Sequence, residues 1–172
     1  YIPDAELASD IICGFPGETE EDHQATAELL RFGQFKNCFI FKYSPRPGTV
    51  AAKKYTDDVP DETKKRRNNE LLRLQSEISD AVHQKYVDKT VRVFVESIST
   101  KSQKSANTAD PSVTLGWAQP REVTQLAGRT SGDLITMFDG DPALIGEFVD
   151  VKIHSAKSLA LFGELISEPA AV

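Results

Sequence analysis

The sequence predicts an α/β segment followed by an all-β domain. Two apolar runs, DIICGF at 10–15 and KNCFIFKY at 36–43, flank a helix-length segment. That order is a βαβ unit, and a connection of such length implies parallel pairing. Beyond about Val87 the pattern changes to short strand candidates divided by Gly, Asp and Pro clusters, which suggests a small antiparallel β-barrel. The expected division is therefore residues 1–87 and residues 88–167.

Each element has a local reason. The run at 10–15 is nearly continuous in apolar residues and is closed by Gly and Pro, as a buried strand should be. Thr19 opens TEED, a capping-box-like helix start with acids in its first turn. Leu29, Leu30 and Phe32 give the helix at 20–33 an apolar side. The run at 36–43 is rich in aromatic and β-branched types. SPRPGT at 44–49 must be a loop, because Pro45 and Pro47 lack donors and Gly48 permits a tight turn. A loop directly after a parallel strand lies where α/β folds place ligands.

The clearest helix covers 60–86. Pro60 suits its first turn and Asp58 is a candidate cap. Leu71, Leu74, Ile78 and Val82 recur on one side. Lys64, Lys65, Arg66 and Arg67 form a basic run, either a solvated face or a phosphate contact. In TVRVFVESI, at 90–98, Val91, Val93 and Val95 share one face. Residues 99–112 are polar and turn-rich. Further strands are expected at 113–118, 122–127, 133–138, 147–154 and 158–166.

Charge and cysteine usage narrow the chemistry. Lys and Arg total 20 against 26 Asp and Glu, a net charge of −6. That balance gives no general field for nucleic acid, so any RNA contact must be a local patch. There is no apolar run of membrane-spanning length and no signal-peptide pattern. The chain opens on Tyr1 and reads as a piece of a longer protein. Cys13 and Cys38 form no CxxC pair and are expected to be buried strand residues. Two thiols without a secretion signal fit a cytoplasmic protein.

Four elements in order carry a resemblance: GFPGETEED at 14–22, YSPRPGT at 43–49, VPDETKKRRNNELLRLQSEIS at 59–79, and VRVFVE through GRT to IGEFVDVKIHSAKSLALFGEL. Together they resemble the C-terminal part of the methylthiotransferase family of radical S-adenosylmethionine enzymes. The loop YSPRPGT and the Arg-Leu-Gln segment at 73–75 look most like its tRNA-modifying branch. The resemblance implies that residues 1–87 are the late βαβ segment of a radical S-adenosylmethionine (β/α) barrel with its exit helix. It implies that residues 88–167 are a TRAM domain, a small RNA-binding barrel.

It further implies a parent enzyme using S-adenosylmethionine and two [4Fe-4S] clusters to methylthiolate an adenine at C2. The expected partner is tRNA, at its anticodon stem-loop. In this family the cluster cysteines lie upstream of the matching region, so this chain alone is expected to be inactive and metal-free. The alternatives are a non-catalytic RNA-binding module and the branch that modifies a ribosomal protein.

By the same resemblance, Ile12 and Gly14 sit where such enzymes pack the adenine of S-adenosylmethionine. Glycine there, and Gly17 at the helix entry, would let backbone approach a ligand. Backbone groups of Phe41 and Tyr43 are placed to meet the adenine edge. Arg46 offers a forked donor for carboxylate or phosphate, with Glu18 as its candidate structural partner. In the TRAM-like part, Arg129 and Thr130 of the GRT signature, with Lys152 and Lys157, are the candidate RNA contacts. Lys89, Arg92, Lys101, Lys104, Arg121, Arg129, Lys152 and Lys157 face ten acids between 88 and 164, so binding should be weak and salt-sensitive. Trp117 and Phe138 are either stacking platforms or core. His23 stands where the family usually carries Phe and is expected to pack at the helix edge.

Overall fold

The computed structural model describes residues 6–99 and 124–167. The chain divides into two compact units, Tyr1–Val82 and His83–Val172. The expected strand at 113–118, Trp117, Arg121, Lys101 and Lys104 lie outside the described residues.

In the first unit, β1 (Ala8–Cys13) and β2 (Asn37–Lys42) pair in parallel, joined through α1 (Glu20–Gly33). Thr19 caps α1 in a full capping box: its hydroxyl accepts from the Asp22 amide, and the Asp22 carboxylate accepts from the Thr19 amide. Gln34 ends the helix in a left-handed conformation. One face of the two strands packs Cys13, Cys38 and Ile40 against Leu30 of α1 and Leu71, Ile78 and Val82 of α3 (Asp61–Gln84). The other face leaves Ile12, Phe39 and Phe41 exposed. Of the apolar side expected for α1, only Leu30 is buried; Leu29 and Phe32 point to solvent. The inward stripe instead runs through His23, Ala27 and Leu30, one turn apart. A short helix missed by pattern, α2 (Val50–Lys54), follows the proline-rich loop and is capped by Thr49.

The buried stripe of α3 opens on Lys64 and Arg67 and continues through Leu71, Ile78 and Val82, with buried Gln75, Ser79 and His83 among them. Lys64 and Arg67 are each 4 % exposed, so the basic run is split: these two are buried, while Lys65 and Arg66 stay on the solvated face. The Lys64 ammonium bonds both Asp57 oxygens at 2.5 and 2.7 Å. Arg67 donates to the Glu18 carbonyl and carboxylate and to Glu20. Arg66 bridges Glu20 and Glu70. A phosphate-binding role for this run is displaced by these internal pairs, except at exposed Lys65. Asp58 does not serve the helix start as expected; its carboxylate accepts from the Gly17 amide at 2.8 Å. Further along, Gln75 and Ser79 donate to the carbonyls of Phe35 and Lys36 and so satisfy the turn before β2.

The second unit is a closed five-stranded barrel. Its strands are β3 (Thr90–Ile98), β4 (Thr124–Thr130), β5 (Ile135–Gly140), β6 (Phe148–Lys157) and β7 (Ala160–Ser167), in the order β3-β4-β5-β7-β6. Val93, Val95, Leu126, Phe138, Val149, Val151, Ile153 and Leu161 fill the interior. The barrel is not wholly antiparallel: β5 and β7 pair in parallel. The reason is connectivity. After β5, a 3₁₀ turn at Pro142–Leu144 precedes β6, which pairs with β3. The hairpin back from β6 then brings β7 alongside β5 in the same direction. Gly128 and Gly163 allow the tight crossings, since a Cβ would lie 2.3 Å from the Phe94 carbonyl oxygen or 2.4 Å from that of Lys152. No helix among the described residues is long and apolar enough to cross a membrane.

Candidate cofactor and nucleic-acid sites

In the first unit, β2 runs out into the loop at 43–49, and a concavity of about 390 Å³ opens there. Ile12, Phe41, Tyr43 and Arg46 all line it, with Thr49 and Ala51. Ile12 and Phe41 are cross-strand neighbours on the exposed face of the sheet. Four of the six residues expected to meet a cofactor are therefore brought to one place. Arg46 is exposed, and its guanidinium makes no ion pair with any described residue. Glu18, its candidate partner, is held by Arg67 at 2.7 Å instead.

The two glycines each have a local structural reason. Gly14 has φ +75, and a Cβ there would fall 2.4 Å from Lys64 Cγ. The lysine stem of α3 thus makes a close approach that a side chain at position 14 would block. The Gly14 amide donates to Glu18 at 2.7 Å. Gly17 has φ +81 with open space beside it, so backbone conformation selects the glycine. Of the backbone groups expected at an adenine edge, the Tyr43 amide donates to the Cys13 carbonyl at 2.8 Å. The Tyr43 ring packs edge-on against Phe15 at 5.0 Å and lies under the Lys64 ammonium.

Burial pushes the Cys13 thiol up, helped by the nearby Glu18 carboxylate. Burial does the same to Cys38. Both are thiols turned into the covered side of the sheet, and no group of three metal-ligating side chains occurs among the described residues. His23 is buried, as expected of a packing residue, and also bonds Glu70 through Nε2 at 2.9 Å. That bond, followed by the Arg66 guanidinium, holds the Glu70 carboxyl below its usual value. Hydrogen bonds from Arg66 do the same for Glu20.

In the barrel, Arg129 and Lys152 both lie on the outward face of the β4-β3-β6 strands, while Lys157 stands at the far end of β6 over the Phe162 ring. Arg129 bonds the Glu96 carboxylate at 3.2 Å and also pairs with Asp133. These partners, Asp133 first, raise its pKa further. The Thr130 hydroxyl accepts from the Leu134 amide and so belongs to the β4–β5 turn. Phe138 is 2 % exposed and is core, not a platform. Sequence pattern missed the exposed pair Phe94 and Phe148, whose rings are 5.1 Å apart. The signal was the alternation in VRVFVE: if the valines point inward, Phe94 must point outward.

This barrel carries a TRAM domain, whose family model matches residues 123–166. The chain as a whole is similar to proteins named tRNA-2-methylthio-N(6)-dimethylallyladenosine synthase. The one from Rhodopirellula baltica is 42% identical over 95% of this chain, and the one from Parabacteroides distasonis 38% identical over 97%. In Acetivibrio thermocellus the relative is 38% identical over 96%. The chain spans about a third of the length of the curated relatives it matches: 32%, 32% and 30% respectively.

Proposed function

We propose that this chain is one part of a radical S-adenosylmethionine enzyme that methylthiolates C2 of N6-dimethylallyladenosine in the anticodon stem-loop of tRNA. Residues 1–87 supply the late βαβ segment of its barrel, and residues 88–167 its RNA-holding TRAM domain. The observation that carries the reading is the convergence of Ile12, Phe41, Tyr43 and Arg46 on one concavity at the C-terminal end of a parallel strand. Its chemistry fits S-adenosylmethionine. Ile12 and Phe41 offer exposed apolar surface for an adenine, and Arg46 offers an uncommitted guanidinium for a carboxylate.

When bound, the two [4Fe-4S] clusters and S-adenosylmethionine supply the radical, sulfur and methyl chemistry. This chain's residues bind and orient. Ile12 and Phe41 exclude water from one side of the nucleoside, and Arg46 fixes the amino-acid end. Gly14 and Gly17 act indirectly, by letting Lys64 and Asp58 hold the loop that follows β1. Arg129, Thr130, Lys152 and Lys157 serve the RNA side, with Arg129 and Lys152 on a common face. On this reading the enzyme works in the cytoplasm, where its tRNA substrate is.

The test is a chimera in which this chain replaces the corresponding third of the Rhodopirellula baltica relative. It should form the methylthiolated nucleoside in tRNA, read by mass spectrometry of digested tRNA. Arg46→Ala in the chimera should weaken S-adenosylmethionine binding by about tenfold, the cost of one charged hydrogen-bonding group. A folded, cluster-loaded chimera that makes no methylthiolated product would refute the proposed activity. An Arg46→Ala chimera with unaltered cofactor affinity would remove Arg46 from the site.

A further inference from the structure

The barrel interior claims Val93, Val95, Val149 and Val151, so the strand alternation turns Phe94 of β3 and Phe148 of β6 outward. The two are directly opposite in register, and Arg129 lies opposite Phe94 on its other side. The result is one lateral row, Arg129, Phe94, Phe148, on the outside of a closed barrel. Phe94 is 39% and Phe148 54% exposed. Their rings meet at 50°, and the Arg92 guanidinium sits 5.3 Å from the Phe148 ring centre. Arg92 makes no ion pair with a described residue, so the ring is its recorded partner. One row on, Asp150 stands opposite Arg92, and Lys152 lies beyond it on the same face.

We propose that Phe94 and Phe148 form a stacking platform for an unpaired base of an RNA strand, with Arg92 meeting the adjoining phosphate. The proposal rests on the reading of the barrel as RNA-holding and names the surface and the form of RNA it takes. Three observations favour RNA over a protein partner. Two exposed rings are far less than the roughly 800 Å² a stable protein interface needs on each side. The Arg92 guanidinium beside the rings has no ion pair among the described residues, which suits a ligand alternating flat apolar faces with anions. Glu96, the acid nearest the row on β3, is paired with Arg129, which Asp133 also engages. The base count of the barrel is too low for non-specific duplex binding, so stacking must supply much of the affinity.

The experiment uses the full chain and a fluorescein-labelled single-stranded RNA decamer, with the same sequence as a duplex for comparison, followed by anisotropy at several salt concentrations. Phe94→Leu and Phe148→Leu should each weaken single-strand binding about five- to tenfold, as loss of base stacking does, with the salt slope unchanged. Duplex binding should not move. Arg92→Gln should weaken binding and reduce the salt slope by about one, and Asp150→Asn should tighten it.

Unchanged single-strand affinity in both Leu variants, with loss in Lys152→Gln, would overturn the platform and leave the RNA reading intact. No RNA binding by the unsubstituted chain would overturn both. Concentration-dependent self-association that the Leu variants abolish, with RNA affinity unmoved, would make the patch a protein contact and overturn the platform. If a Leu variant loses its cooperative melt, Phe148→Tyr decides. The ring is kept, so affinity should hold, and a loss of tenfold or more would sink the proposal.

Discussion

Arg67→Met is expected to destabilise the first unit strongly. The side chain is 4 % exposed, and its guanidinium donates to the Glu18 carbonyl at 3.1 Å, the Glu18 carboxylate at 2.7 Å and Glu20 at 3.2 Å. Methionine keeps most of the packed stem but leaves the Glu18 carboxylate, only 14% exposed, without its cation. Removing one partner of a buried pair costs about 3–5 kcal/mol. Two features set the lower end. Glu20 is 45% exposed and keeps Arg66, and the Arg67 Nε has no partner to lose among the described residues.

The expected loss is therefore about 3 kcal/mol, or about 1.5 M in urea midpoint at a slope near 2 kcal/mol per M. The assay is urea unfolding followed by far-ultraviolet circular dichroism, which reports the helices. Arg73→Met is the control: that pair is 76% and 59% exposed, so its loss should cost under about 0.5 kcal/mol. Adding Glu18→Gln to Arg67→Met should recover at least half the loss, because the uncompensated charge is gone while an acceptor for the Gly14 amide remains. If Arg67→Met moves the midpoint no more than Arg73→Met, the buried-pair reasoning is wrong.

Other outcomes follow from the same geometry. Gly14→Ala should cost about 2–4 kcal/mol, combining a left-handed backbone with a clash against Lys64, whereas Gly17→Ala, in open space, should cost only about 1–2 kcal/mol; equal midpoints in thermal melts would refute the role given to Lys64. Glu20 and Glu70 titrate below the ordinary value of 4.5 when folded, so their contribution is present above pH 4.5 and lost as pH falls through the lowered values. Glu20→Gln with Glu70→Gln should flatten the acid limb of a stability–pH curve; an unchanged limb would exclude this network as its source. Cys13 and Cys38 should resist iodoacetamide at pH 8 in the folded chain and react fully in urea, since both are buried with raised pKa values. Fast labelling of either without denaturant would contradict their burial.

Much of the fold was legible because apolar periodicity and caps are local. The Thr19 capping box, the valine alternation of β3 and the helical repeat from Leu71 to Val82 each state their structure within a few residues. What was not legible depends on distant partners. Nothing near Arg67 shows that Glu18 and Glu20 will fold onto it, so a basic run reads as surface. Gly14 shows no trace in sequence of the lysine stem beside it, which comes 50 residues later. The concavity fared better: Ile12, Phe41, Tyr43 and Arg46 follow from the rule that strand ends and the loops after them share one side of a parallel sheet. The pairing of Phe94 with Phe148 was not legible because alternation gives the side each residue takes, not which outward residues meet across β3 and β6.

The parallel pairing of β5 with β7 has a consequence for synthesis. β7 fits between β5 and β6, so it is the strand that closes the ring, and it is made after the other four. Until residues 160–167 have left the ribosome, β5 and β6 each present an open edge. The barrel therefore cannot form progressively from its N-terminal side; it must wait, partly assembled, for its final strand. A nascent chain stalled before Ala160 would expose both edges to other chains, and one released past Ser167 would expose neither.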